Sequence, residues 1–116
     1  MAYDRDLADR VREVLSDESA VREVKMFGGL SFMVNDKLTV NATTRGDLLI
    51  RCDPDRVDNL ISETSAEWAE MNGKEMSKGW LVIAADRLVS DNDLEFWIGV
   101  ALDYNAKVIS KNGSGR

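Results

Sequence analysis

Phe32-Met33-Val34 and Lys37-Leu38-Thr39-Val40 flank the pair Asn35-Asp36. Asn and Asp tolerate the positive φ that a two-residue hairpin turn demands, so this stretch reads as two antiparallel strands joined by a tight turn. Past the turn, Leu38, Val40 and Ala42 alternate with Thr39, Asn41 and Thr43. That period of two predicts a strand with one packed face and one wet face. Arg45-Gly46-Asp47 supplies a second turn, and Leu48, Ile50 and Cys52 carry the packed face onto the next strand. Residues 21–52, rich in Val, Phe, Leu, Ile and Thr, therefore read as a three-stranded meander. Gly28-Gly29 falls inside its first strand and reads as a kink or bulge, the alternative being a backbone cradle for an anion. No helix start or phosphate-loop lysine follows to complete such a cradle.

Working outward, Leu7, Ala8, Val11, Val14 and Leu15 recur at helical spacing between charged positions, which predicts an amphipathic helix over residues 4–16. On the other side of the meander, Asp53-Pro54 is a helix start. The Asp side chain accepts from free amides, and Pro fits the first helical position because its missing N–H had no partner there. A helix is expected over residues 54–62, then strands over 66–71 and 80–84 with a turn at Asn72-Gly73 between them. Trp80 to Ala84 is apolar on both faces and belongs inside a sheet or at an interface. Ser90-Asp91-Asn92-Asp93 opens a last helix with a capping-box-like pattern. Leu94, Trp97, Ile98, Ala101, Leu102 and Asn105 share one side of that helix, while Phe96 and Val100 give the opposite side apolar character. Residues 1–110 are read as a single domain and residues 111–116, with Gly and Ser, as a disordered tail. The order α-β-β-β-α-β-β-α makes the class α+β, a two-layer fold with an antiparallel sheet covered on one face by helices.

The chain has 116 residues, a net charge of −6, no histidine, one cysteine and one proline. Without imidazole there is no His-based triad and no His metal ligand, and Cys52 alone can form neither an internal disulfide nor a Cys-rich zinc site. Residues 53–75 hold seven carboxylates against two basic side chains, so the acidity is concentrated in one stretch. It reads as a solvated face, since its carboxylates lack the spacing of a calcium-binding loop. Nucleic-acid affinity comes largely from neutralising phosphates with Lys and Arg, so no direct nucleic-acid binding is expected. The N-terminus is charged from Asp4 onward with no apolar core of a signal peptide, and no apolar run approaches the length of a membrane span. A cytoplasmic location is expected.

Lys25-Met26-Phe27-Gly28-Gly29-Leu30 resembles the N-terminal domain of the TfoX/Sxy competence-regulator family. The likeness continues through Ser31 to Lys37, Asp47-Leu48-Leu49-Ile50-Arg51, Met76-Ser77-Lys78-Gly79-Trp80 and the Trp97-bearing final helix. The resemblance implies a two-layer α+β unit similar to secretion-chaperone folds. It further implies a role related to full-length members, which switch on competence genes alongside the cyclic-AMP receptor protein. The 116 residues are expected to hold the first domain alone, a departure from those members. The chain also carries Asn35-Asp36 where family strands often have Asn-Gly, and Cys52 where a plain aliphatic residue is usual. The family has no established catalytic residue, so the resemblance carries none over.

Lys25, Arg51 and Lys78 lie in the three resembling motifs and, on neighbouring strands, would make a small basic patch able to hold a carboxylate or phosphate with Gly28 and Gly29 beside it. The competing reading is exposed strand charges that discourage edge pairing. Cys52 falls in register with Leu48 and Ile50 and reads as an inert buried thiol. Trp68, flanked by Glu67 and lying near Glu70, reads as an interface anchor, with Trp80, Phe96 and Val100 as further interface candidates. The leading expectation is a non-enzymatic protein-interaction module, dimeric, with no cofactor and no metal. Its partner would be a protein such as a transcription factor. A small-anion or metabolite-binding regulatory domain is the alternative.

Overall fold

A computed structural model describes residues 5–18, 20–26, 29–64, 67–71, 74–75 and 79–114. Helix α1 (Arg5–Val14) turns Leu7, Ala8 and Val11 inward and ends in a 3-10 turn, Leu15–Asp17, that buries Leu15. Four strands follow, β1 (Val21–Met26), β2 (Gly29–Val34), β3 (Lys37–Ala42) and β4 (Leu48–Arg51). A 3-10 turn, Pro54–Arg56, leads into α2 (Val57–Glu63), and the Asp53 carboxylate accepts from the Asp55 amide at 2.9 Å as the cap the sequence predicts. Short strands β5 (Glu67–Trp68), β6 (Glu70–Met71) and β7 (Lys74–Glu75) precede β8 (Trp80–Ile83). A last 3-10 turn, Ala85–Arg87, leads to α3 (Asp91–Ser114), whose start is capped by Ser90, with its Oγ accepting from the Asn92 amide.

Six strands form one antiparallel sheet in the order β1-β2-β3-β4-β8-β5, with β6 and β7 paired separately. The fold is α+β. Val40 sits opposite Phe32 and Ile50, and Ile50 opposite Leu81, so the alternation places these side chains on one sheet face. They join Leu7, Val11 and Leu15 from the first helical segment, Val57 and Leu60 from α2, and Leu94, Trp97, Ile98 and Ala101 from α3 in a single core. The sheet interior is where Trp80 to Ile83 was expected, and β8 lies there, between β4 and β5.

Four expectations change. Residues 21–34 form two strands, not one kinked strand: Val21 pairs with Val34 and Met26 with Gly29. Gly29 is needed because a Cβ there would collide with the Ala42 carbonyl oxygen on β3. The expected single strand over 66–71 is divided between β5 and β6, and the predicted turn at residues 72–73 lies outside the described residues. The expected wet face of β3 is closed. Asn41 is fully buried and donates through Nδ2 to Ser31 Oγ at 2.7 Å. Thr39 is the extra residue at a bulge, where Phe32 opposes Val40 but Met33 opposes Leu38, and this carries its hydroxyl to Asn105 on α3. Finally, helical backbone continues through Ser114 into the stretch read as a tail.

Ion pairs fasten the helices to the sheet and to each other. Arg12 of α1 grips Glu23 of β1 through Nε (2.6 Å) and Nη2 (2.8 Å), and Lys107 of α3 meets Asp53 at 2.6 Å. The Arg12 hydrogen bond holds the Glu23 carboxyl below its ordinary range, and the Lys107 hydrogen bond does the same to Asp53. Both carboxyls are harder to protonate folded than unfolded, so their contribution is complete above the ordinary carboxylate range and is lost as pH falls through the lowered folded values. The urea midpoint is therefore expected to fall between pH 6 and pH 2.5, and Arg12→Ala to reduce that fall. An unchanged or rising midpoint would show that neither pair contributes.

Candidate functional site

At one end of the sheet, α3 overhangs the first residues of β3, the last of β4 and the first of β8. The gap is a cleft of about 240 Å³ lined by Lys37, Leu38, Arg51, Trp80, Ala101, Tyr104, Asn105 and Val108. Its geometry follows from two backbone features. The first is the Asn35-Asp36 turn, whose φ values of 54° and 64° are the paired left-handed conformations of a type I′ hairpin. Asn105 fixes this turn under α3: its Nδ2 donates to the Val34 carbonyl at 2.9 Å and to Thr39 Oγ1 at 3.4 Å, while its Oδ1 accepts from Asn35 Nδ2 at 3.2 Å. Lys37 and Leu38 are thereby held at the cleft.

The second feature is Gly79. The Cys52 amide donates to its carbonyl at 2.7 Å, its φ is +112°, and a Cβ would lie 2.9 Å from the Cys52 carbonyl oxygen. Glycine alone permits this approach. It closes β4 against β8 and sets Arg51 directly opposite Trp80. The Arg51 guanidinium carbon lies 5.1 Å from the centre of the Trp80 ring and 5.7 Å from that of Tyr104, within cation–π range of both. Arg51 Nε is buried without a hydrogen-bond partner, and among the described residues no carboxylate pairs with Arg51 or Lys37. On a chain of net charge −6, the described residues that line this cleft include two cationic side chains and no acidic one. Such an arrangement can attract an anion and offer it guanidinium donors beside aromatic and aliphatic walls.

A family model, the TfoX N-terminal domain, matches residues 13–104. The chain belongs to the TfoX N-terminal domain family. The matched span contains Lys37, Arg51, Trp80 and Tyr104 of the cleft and stops one residue before Asn105. No curated protein and no solved structure matches the chain. Membership makes this a competence-regulator-like domain.

The structure distributes the predicted site residues of this TfoX N-terminal domain among several places. Arg51 is in the cleft. Lys25 is exposed on β1, opposite Leu30 and so three strands from β4, which at about 4.8 Å per strand is roughly 14 Å across the sheet. It does not converge with Arg51. Gly28 and Lys78 lie outside the described residues, and Gly29 serves the close approach of β2 to β3. Trp80 is a wall of the cleft, whereas Trp68 is half-buried on the sheet-edge strand β5 and packs on the core. Phe96 is 49% exposed and meets Trp97 edge-on at 4.9 Å. Val100 is only 3% exposed, which corrects its reading as part of an outer stripe. Val100 joins the hydrophobic core, and farther along α3 Asp103 and Lys107 pair with Arg56 and Asp53.

Lys37, Tyr104 and the clamping role of Asn105 were not foreseen. The available signal was the lone polar Asn105 on the apolar side of α3, because a buried amide must find partners. Cys52 is fully buried, and desolvation pushes its thiol up to about 11. It is expected to resist a thiol-specific reagent at pH 8 in the native state and to react only with unfolding. Rapid native labelling would show that the end of β4 opens. Among the described residues no group of three or more His, Cys, Asp or Glu side chains is placed to hold a metal ion, and no helix is long and apolar enough to cross a membrane.

Proposed function

We propose that this TfoX N-terminal domain is a non-enzymatic binding module that takes an anionic ligand in the Arg51 cleft and presents the occupied state to a protein partner. One observation carries the reading: Arg51 lies within cation–π range of both Trp80 and Tyr104 in a lined cleft, and among the described residues no carboxylate pairs with it. The function supported here is therefore the alternative expectation, placed on one of its predicted residues and several unforeseen ones. A titration with sodium acetate, inorganic phosphate and aromatic acids, followed by amide chemical shifts, tests it. Shifts centred on Lys37, Leu38, Arg51 and Tyr104 are expected, and Arg51→Ala should abolish them. Flat responses at these residues to every anion would remove the reading.

A protein-docking surface is the second reading, and Val89 and Phe96 favour it. They are the large apolar side chains left exposed among the described residues, at 79% and 49%. Self-association is its simplest form. Sedimentation across a concentration series is expected to show a dimer that Phe96→Ser weakens, and a monomer up to millimolar concentration would dispose of the dimer.

A further inference from the structure

Resting on the anion-binding reading, we infer that the cleft selects a small monocarboxylate with a flat apolar body, about the size of an aromatic amino acid. Four features of the lining converge on this class.

The first is how Arg51 is held. Its guanidinium carbon lies 5.1 Å from the Trp80 ring centre and 5.7 Å from that of Tyr104, and its Nε is buried, which leaves the terminal Nη donors as the ones a ligand would meet. A guanidinium end presents two parallel donors, a spacing that a carboxylate matches with both oxygens at once. Lys37 adds a second positive charge without fixing a direction, as expected of an ammonium.

The second is the shortage of other polar recognition. Asn105 has its amide nitrogen on Val34 and Thr39 and its oxygen on Asn35, so it has little left for a ligand. Beyond the two cations, the described lining offers the Tyr104 hydroxyl and the Trp80 indole N–H as side-chain polar groups, too few for a ligand rich in donors and acceptors. A sugar or a nucleobase, with several donors and acceptors to satisfy, would be desolvated without compensation.

The third is the apolar remainder. Leu38, Ala101 and Val108 stand with the Trp80 ring around the cleft. Inorganic phosphate or acetate would leave that surface in water, whereas an aromatic or indole ring would cover it, gaining roughly 25 cal/mol for each Å² removed from solvent.

The fourth is size. At about 240 Å³ the cleft falls below the range of roughly 300–1,000 Å³ common for larger ligands. A single or fused ring with a short acid arm is closer to this volume than a nucleotide is.

Calorimetry and amide-shift titrations of the full chain with indole-3-acetate, acetate, inorganic phosphate and adenosine monophosphate test the class. Indole-3-acetate is expected to bind at least tenfold more tightly than acetate, with shifts at Leu38, Arg51 and Tyr104. Arg51→Lys, which keeps the charge and removes the paired donors, should weaken it about tenfold while preserving the spectrum of the folded protein. Unchanged binding by Arg51→Lys would overturn the carboxylate argument. Phosphate or adenosine monophosphate binding more tightly than indole-3-acetate would overturn the ligand class yet leave anion binding in the cleft standing. Absence of shifts with all four compounds would overturn both.

Discussion

Phe32→Ala is expected to lower the stability of the domain by about 3–5 kcal/mol, the range for truncating a buried aromatic ring. Phe32 has no exposed surface, lies on β2 opposite Val40, and belongs to the core shared by sheet and helices. Its loss combines the transfer energy of the ring with a cavity that neighbouring strands and helices close only in part. Small domains are stable by about 5–15 kcal/mol, so the variant should sit near the edge of folding at 37 °C. Urea denaturation at 25 °C measures the change. Phe96→Ala is the control, expected within about 0.5 kcal/mol of the parent because its ring is half in solvent. If Phe32→Ala lost less than about 1 kcal/mol, the residue would not occupy the packed position described.

Asn105→Leu is the second large effect, and it links stability to the cleft. Leucine has a similar size and a better helix propensity, so steric and helical terms favour the variant. Against them stand the bonds to the Val34 carbonyl, Thr39 Oγ1 and Asn35 Nδ2. The Thr39 hydroxyl keeps its own bond to the Lys37 carbonyl at 3.1 Å, so the main loss falls on the Asn35-Asp36 turn. A net destabilisation of about 1–3 kcal/mol is expected, as for removing one side of a buried polar network. Hydrogen exchange should quicken at Lys37 and Thr39, and cleft binding should weaken although Arg51 is untouched. A neutral variant with unchanged exchange would mean that the turn holds its place without α3.

The two variants also separate what was readable from what was not. Val40 and Ile50 were readable as packed-face residues from their alternation, and the strand pairing sets Phe32 opposite Val40 in the same core. The Asn35-Asp36 turn, the Asp53-Pro54 helix start and the Ser90 cap were legible for a similar reason, each depending on a few neighbouring residues. Val100 shows the limit. Its place on α3 follows from helical periodicity, but its burial is set by the core that the folded chain packs against that side. Thr39 shows another limit, since a single bulged residue turns its hydroxyl from the expected outer face towards α3.

The candidate site was legible in one residue. Arg51 could be singled out because it stands at the end of an apolar strand in a motif shared with the family, but its companions could not. Lys25 and Arg51 looked equivalent in sequence, and only the strand order β1-β2-β3-β4 sets them far apart.

Local interactions are written in the chain: the apolar stripe of α1, the turns and caps, and the α+β class that follows from their order. Their physical causes act within a few residues and so leave a readable pattern. The cleft is a product of tertiary structure. Lys37, Arg51, Trp80 and Tyr104 meet because antiparallel pairing aligns the ends of three strands beneath one long helix. The close contact at Gly79 and the clamp at Asn105 then hold those ends in place. Residues that are tens of positions apart are brought together by packing, and local sequence carries no period for that distance.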